Sequence, residues 1–171
     1  MKNMGLLVLA VLVGLVLFNK NEYVEIPSTS IRVRVIANSN KSEDQDKKII
    51  IKSAIEKVFK NLLSEVKDYD EADEKIVSNE QLLRKSIDNT IEENKLDTSY
   101  KASYGYNYFP EKTYGNVKYK SGLYKSYVVT LGEGEGDNWW CVLYPPICLV
   151  DENTDEYNYH FLIKDILEKY N

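Results

Sequence analysis

The spacing of the apolar residues changes from helical to strand-like in the middle of the chain, and this change limits the possible folds. Between residues 42 and 94 the apolar side chains recur every three or four positions, as on one face of an amphipathic helix. From Tyr100 to Phe109 tyrosine and alanine alternate with mostly polar residues, which is the period of a strand. Helical and strand-like segments that are separated along the chain predict an α+β domain.

Other strands complete the predicted fold. Residues 31–37 alternate apolar and charged side chains, and residues 123–131 and 139–144 are rich in β-forming residues. Since the chain has 171 residues, we predict a single domain with a mostly antiparallel sheet and two or three helices grouped on one side. The glycine-rich segment Gly132–Asn138 predicts a hairpin between the last two strands.

Local signals predict where these elements begin and end. Ser42 and Gln45 have the spacing of a capping box, with Ser42 as N-cap of the first helix. Pro110 and the pair Pro145-Pro146 are expected to end strands, because proline has no N–H for the ladder. The segment Phe161–Tyr170 predicts a short amphipathic helix near the end of the chain.

The amino terminus has the pattern of an export signal. Lys2 precedes an uncharged apolar stretch from Met4 to Phe18, which predicts a signal peptide or signal anchor over residues 1–18. As a helix, this stretch would span roughly 22 Å, less than the hydrocarbon core of about 30 Å. No small-residue cleavage site follows directly, so cleavage and anchoring both stay open. The positive start favours an extracytoplasmic position for the rest of the chain, either secreted or membrane-anchored.

The sequence therefore divides into four segments. Residues 1–18 form the leader, residues 19–30 a polar linker, residues 31–151 the α+β domain, and residues 152–171 a tail with a short helix. The net charge of -5 argues against a nucleic-acid partner, because such proteins present a basic face. Membrane contact is expected through residues 4–18.

No catalytic constellation is visible. The single histidine, His160, has no nucleophile or carboxylate at a telling spacing. The segment Gly132–Gly136 lacks the lysine and serine or threonine of a phosphate loop. Its acidic residues Glu133 and Glu135, with Asp137, could bind a hard cation or act as acid and base, but they share one loop. We predict no catalytic residue, no cofactor and no metal site, and a protein that acts by binding rather than as an enzyme.

Cys141 and Cys148 are the two cysteines of the chain. Outside the cytoplasm such a pair favours a disulfide, and the intervening prolines can fold the chain back. Free thiols, or a thiol-dependent binding module, are the alternatives.

An aromatic cluster is the candidate partner-binding site. It consists of Trp139, Trp140, Tyr144, Pro145 and Pro146. Tryptophan and tyrosine are common anchors of protein interfaces. Consecutive residues of a strand point to opposite faces, so one tryptophan is expected in the core and the other outside, unless both are core residues.

Three runs of residues resemble the stage II sporulation protein R family. They are Ile31–Ser39, Tyr106–Pro110 with Lys112–Gly115, and the long run Gly132–Cys148; the segment Glu43–Asp46 also fits. The resemblance covers about residues 31–151. It carries over no catalytic residue, because no motif of the family names one.

The resemblance implies a specific function. Members are made in the forespore and exported to the space between forespore and mother cell. There they activate a membrane-embedded aspartic-type protease of the mother cell, which leads to processing of a sigma factor precursor. The alternatives are an extracytoplasmic enzyme that acts on cell wall through Glu133, Glu135 and Asp137, or a thiol-dependent module.

Overall fold

The structure is a computed structural model that describes residues 23–114, 117–147 and 156–170, with side chains from residue 163 onward in the last segment. The predicted leader, the start of the linker and Cys148 lie outside the described residues. The strands are β1 (Val24–Glu25), β2 (Ile31–Ile36), β3 (Tyr100–Phe109), β4 (Lys112–Tyr114), β5 (Val117–Tyr119), β6 (Gly122–Leu131) and β7 (Asn138–Tyr144). The helices are α1 (Ser42–Leu63), α2 (Tyr69–Ser78), α3 (Glu80–Glu93) and α4 (Glu156–Lys169).

These elements confirm the α+β prediction. The larger sheet has the strand order β3-β6-β2-β7, in which β6 and β2 are parallel and the two outer pairs are antiparallel. Strand β3 ends directly before Pro110 and strand β7 directly before Pro145, as the prolines predicted. Among the described helices none is both long enough and apolar enough to cross a bilayer.

The predicted hairpin between the last two strands is wrong, because β2 lies between β6 and β7. The glycine-rich segment instead carries the chain across the end of β2. Gly132 and Gly134 have positive φ angles of 52° and 70°, which favour glycine. A Cβ at Gly136 would lie 2.4 Å from the carbonyl oxygen of Ser39, so this glycine permits close approach of two backbones. Gly132 lies in a tight turn closed by the 3.0 Å hydrogen bond from the Gly134 N–H to the Leu131 carbonyl oxygen, but this turn begins a crossover rather than a hairpin.

One face of the larger sheet is covered by α1, α2 and α3. Their apolar stripes meet the alternate residues of all four strands in one hydrophobic core. Its fully buried members include Val33, Val35, Ile55, Phe59 and Tyr127. Phe59 meets Tyr127 edge-on, with ring centroids 5.7 Å apart. The helical stripe predicted over α1 is thus confirmed.

The predicted capping box at the start of α1 is wrong by one residue. Lys41 is the N-cap and makes no side-chain capping bond, while Ser42 is the first helical residue. The preceding turn is held instead by Asp44, whose carboxylate accepts hydrogen bonds from Ser39 Oγ at 2.6 Å and Asn38 Nδ2 at 2.8 Å. Hydrogen bonds from the preceding turn to Asp44 therefore take the place of the predicted capping box.

The opposite face of the larger sheet is only partly covered. Strands β1, β5 and β4 form a second, three-stranded sheet, and its core with α4 includes Val142 from β7. Residues 24–26, placed by sequence in the linker, supply β1 and the buried Ile26 to this layer. The uncovered part of this face holds the candidate site.

Candidate functional site

An open groove lies beside the second sheet, on the face of the larger sheet that points away from α1–α3. We call it the aromatic groove; its volume is about 310 Å³. Its side chains come from β2, β7, the end of β3, Pro110, β4 and β5. They include Arg32, Phe109, Lys112, Tyr114, Tyr119 and Trp140, with Pro110, Asn138, Trp139, Cys141 and Val142 completing the lining.

Aromatic rings packed edge-on build the groove. Phe109, at the end of β3, meets Trp140 of β7 with ring centroids 5.1 Å apart and an interplanar angle of 90°. It also meets Tyr124 of β6 at 6.0 Å. On the other wall, Tyr114 and Tyr119 form an edge-on pair at 5.7 Å. Such pairs are favoured by the ring quadrupoles, so they hold the walls in a defined arrangement.

Two arginines of β2 point toward this side of the sheet. Strand alternation sends Val33 and Val35 to the helices and Arg32 and Arg34 to the opposite face. Arg32 is only 2% exposed, and its Cζ lies 3.3 Å from the ring centroid of Tyr124. Its Nε donates a 3.3 Å hydrogen bond to Ser30 Oγ, while Nη2 is buried without a hydrogen-bond partner. Arg32 is therefore a buried cation that is only partly satisfied.

Arg34 lies opposite Trp140 in the β2/β7 register. Its Cζ is 5.7 Å from the Trp140 ring centroid and 5.5 Å from that of Phe109. Its Nε is also buried without a hydrogen-bond partner. Burial lowers the pKa of both Arg32 and Arg34, although nearby tyrosines oppose this for Arg32. Both guanidinium groups still carry charge at neutral pH.

The structure separates the five residues of the predicted partner-binding site. Trp139 and Trp140 point to opposite faces, as strand geometry predicted. Trp139 packs against the helix-side core near Lys52 Nζ, 5.1 Å from its ring centroid, and also borders the groove. Trp140 stands in the aromatic groove, whereas Pro145 and Pro146 do not line it.

Tyr144 lies in the helix-side core, 6% exposed, between the rings of Tyr69 and Tyr170. The cause is an irregularity in register between β2 and β7, where Ile31 pairs with Tyr144 but Arg32 pairs with Val142. The extra residue on β7 acts as a β-bulge and turns Tyr144 away from the face of Trp140.

The structure describes only one cysteine of the predicted pair. Cys141 lies on β7 and lines the aromatic groove. Cys148 lies outside the described residues, so its disulfide with Cys141 stays a prediction.

The acidic loop does not face the groove. Glu133, Glu135 and Asp137 are exposed, and their backbone N–H groups donate to Asn38 Oδ1, Asn38 O and Asn40 Oδ1. These bonds fix the crossover but leave the carboxylates in solvent.

Polar side chains of α1 also hold the crossover in place. Lys48 Nζ donates to the carbonyl oxygen of Asp137 at 3.0 Å and to Gln45 Oε1 at 2.5 Å. The hydrogen bonds from Ser39 and Asn38 lower the pKa of Asp44.

Within the described ranges, no three histidine, cysteine, aspartate or glutamate side chains cluster as metal ligands. The side chain of His160 lies outside the described residues.

Sequence reasoning found Trp140 but missed its neighbours. Arg32, Arg34 and Phe109 were assigned only to strands. The available signal was the pair of arginines in the alternating run Ile31–Ile36. Charged residues are unusual on a strand that is buried on both of its faces. Nothing local indicated that Phe109 and Trp140 would meet.

Comparison with known proteins identifies relatives. The family model described as stage II sporulation protein R (spore_II_R) matches residues 27–154. The curated stage II sporulation protein R of Bacillus subtilis (strain 168) is 35% identical over 138 residues, which cover 81% of this chain and 62% of that relative. The match thus spans less than two thirds of the relative's length. No solved structure matches the chain.

Proposed function

We infer that this chain, which belongs to the stage II sporulation protein R family, is a sporulation signalling protein that acts by binding a partner. Its partner is a membrane-embedded aspartic-type protease of the mother cell. Binding activates the protease, which then processes a sigma factor precursor. The chain itself is exported from the forespore and is not an enzyme.

The aromatic groove is the observation that carries this proposal. Interfaces are enriched in tryptophan, tyrosine and arginine, and these residues dominate binding energies. The groove combines Trp140, Tyr114 and Tyr119 with Arg32 and is open to solvent.

The placement of the acidic loop supports binding rather than catalysis. Glycosidases set two carboxyl groups across a cleft from each other. Here Glu133, Glu135 and Asp137 follow one another on an exposed crossover, and none lines the aromatic groove. Replacing all three by amides is expected to leave signalling unchanged, whereas a cell-wall enzyme that used them would lose activity.

Activation requires a difference in affinity. A bound protein shifts a protease toward its active conformation only if it binds that conformation more tightly than the inactive one. A rigid groove is suited to this, because its rings are already packed and little ordering is needed on binding. The leader, residues 1–18, supplies export and membrane contact through residues 4–18, either before cleavage or as an anchor.

The test is reconstitution. The full chain, exported by its own leader, is expressed with the protease and its substrate precursor, and cleavage of the precursor is measured on immunoblots. Cleavage should require the chain and fall at least tenfold with Trp140→Ala. The control is Leu82→Ala on α3, whose side chain is 47% exposed and far from the groove. Cleavage that proceeds equally without the chain would contradict the proposal.

Localisation and thiol state are measured in the same cells. Fractionation with a membrane-impermeant thiol reagent should find the chain outside the cytoplasm. Cys141 and Cys148 should be protected from labelling until a reductant is added. Labelling without reductant would contradict the disulfide and leave the export proposal intact.

A further inference from the structure

We propose that the aromatic groove binds a carboxylate side chain carried on an extended segment of the partner protein, held by Arg32 and Arg34 beside Trp140. The identity of the partner rests on the proposed function. The chemistry of the site rests on the groove itself.

The first argument is an imbalance of charge. Arg32 and Arg34 both lie within 5.5 Å of the Phe109 centroid, and in the described part of the chain neither has a carboxylate at ion-pair distance. Two cations on or next to β5 are paired: Lys118 with Glu111 at 3.3 Å, and Lys120 with Glu25 at 2.6 Å.

A chain with a net charge of -5 thus concentrates unpaired positive charge at one groove, to which Lys112 adds a further cation. An unpaired charge in a desolvated site is costly, and a bound anion offsets part of that cost.

The second argument is the set of unused donors. Arg32 Nη2 and Arg34 Nε are buried without hydrogen-bond partners. Guanidinium groups bind carboxylates through parallel N–H···O bonds, which are stronger than hydrogen bonds between neutral groups. Stacking on Tyr124 and Phe109 fixes the direction of the Arg32 fork, so little side-chain entropy is lost when the anion binds. Arg34 does not line the groove itself but lies beside it, half-buried against Trp140 and more exposed than Arg32.

The third argument favours a polypeptide over other carboxylate ligands. Two strands that line the groove are edge strands: β7 closes one side of the larger sheet, and β4 closes one side of the second. An edge strand has backbone N–H and C=O groups free to pair with an added extended chain. All three residues of β4 are exposed, so its outer edge is accessible. The volume of about 310 Å³ suits one or two side chains of such a segment.

The test uses the fluorescence of Trp140 as the reporter. The chain has two tryptophans, so Trp139→Phe leaves Trp140 as the sole fluorophore of its kind. The full chain in detergent is titrated with a randomised pool of blocked pentapeptides that carry a central glutamate. A matched pool carries a central glutamine. We expect the glutamate pool to reach half-saturation at a concentration at least tenfold lower, and high salt to narrow this difference.

Matched variants assign the preference to the groove. Arg34→Gln should abolish the preference for glutamate, and Arg34→Lys, which keeps charge but loses the planar fork, should reduce it. Lys57→Gln, an exposed site on α1 behind the sheet, should leave it unchanged. Circular dichroism of each variant checks that the fold is retained.

Several results would overturn the proposal. They are equal binding of both pools, no binding of either, or a preference that persists in folded Arg34→Gln. Vesicles of anionic phospholipid test whether the groove binds lipid headgroups instead of a carboxylate side chain. An Arg34-dependent change of Trp140 emission with vesicles but not with the glutamate pool would assign the groove to lipid headgroups and contradict a peptide ligand.

The cleavage assay separates this proposal from the proposed function. If Arg34→Gln loses the glutamate preference but still activates the protease, the carboxylate site stands and its use by the partner is refuted. If cleavage does not depend on the chain at all, the signalling proposal fails. In that case the peptide titration still tests whether the groove binds a carboxylate.

Discussion

The two faces of the larger sheet are built from the same strands but differ in chemistry. The face toward α1–α3 is lined by fully buried apolar residues such as Val33, Val35 and Phe59. The opposite face carries Arg32 and Arg34 among aromatic rings, and part of it is open. The helix face carries the larger of the two hydrophobic cores. The groove face instead holds two guanidinium groups, each with a buried donor that has no hydrogen-bond partner.

Strand alternation makes this division possible. Adjacent residues of β2 point to opposite sides, so one short run contributes both to the core and to the groove. Substitutions at neighbouring positions should therefore have different effects on stability and on function.

The largest expected effect is on the helix face. Phe59→Ala removes a fully buried ring that packs edge-on against Tyr127, and should lower the unfolding free energy by about 3–5 kcal/mol. Urea unfolding followed by circular dichroism measures it. Leu123→Ala, at a side chain that is 68% exposed, should change stability by less than about 0.5 kcal/mol. A loss below about 1 kcal/mol for Phe59→Ala would contradict the assignment of this face as the main core.

The next comparison is between the effects on stability of substituting two adjacent residues of β2, Val33 and Arg32. Val33→Ala should cost about 2 kcal/mol because it leaves a cavity in the core. Arg32→Met replaces a buried, partly unsatisfied cation by an apolar side chain of similar length. It should leave stability within about 1 kcal/mol or raise it, while protease activation falls. A strong loss of stability with Arg32→Met would assign that arginine to structure rather than to binding.

Alkaline pH should weaken the helix face. Burial, together with the 2.8 Å hydrogen bond that its hydroxyl donates to Asp88, raises the pKa of Tyr100 to about 12. The folded state favours the neutral phenol, so this contribution is complete below the ordinary pKa of about 10. It is lost as the pH rises through about 12.

Urea unfolding at several pH values between neutral and alkaline measures this dependence. Tyr100→Phe should reduce the slope of this dependence but not abolish it, because burial also raises the pKa of Tyr104 and Tyr127. Tyr108→Phe, at a side chain 60% exposed, should leave the slope as it is. Equal slopes for both variants would show that Tyr100 is not the responsible group.

The smallest expected effect concerns two tyrosine hydroxyl groups at the helix-side core. The hydroxyl of Tyr127 is buried without a hydrogen-bond partner, so Tyr127→Phe should raise stability by up to about 1 kcal/mol. Tyr104 differs because its hydroxyl donates to Asp73 Oδ1 at 2.7 Å. Tyr104→Phe should lower stability by about 1 kcal/mol. The same unfolding measurement decides both, and changes of the same sign would contradict this distinction.

Much of the local structure followed from the sequence. The helical stripe of α1, the alternation along β3 and the proline stops at Pro110 and Pro145 were all predicted, and so was the α+β class. The family was also recognisable from runs of residues on β2, β3 and β7. These features depend on residues close together in the chain, because periodicity and turn chemistry act over a few positions.

Tertiary structure alone decided the arrangement of these elements. It placed β2 between β6 and β7, introduced the bulge that buries Tyr144, and paired the short strands β4 and β5. It also brought Arg32, Phe109 and Trp140 from three distant segments into one groove. Strand order depends on contacts between residues far apart in sequence, and local periodicity carries no record of which strands become neighbours.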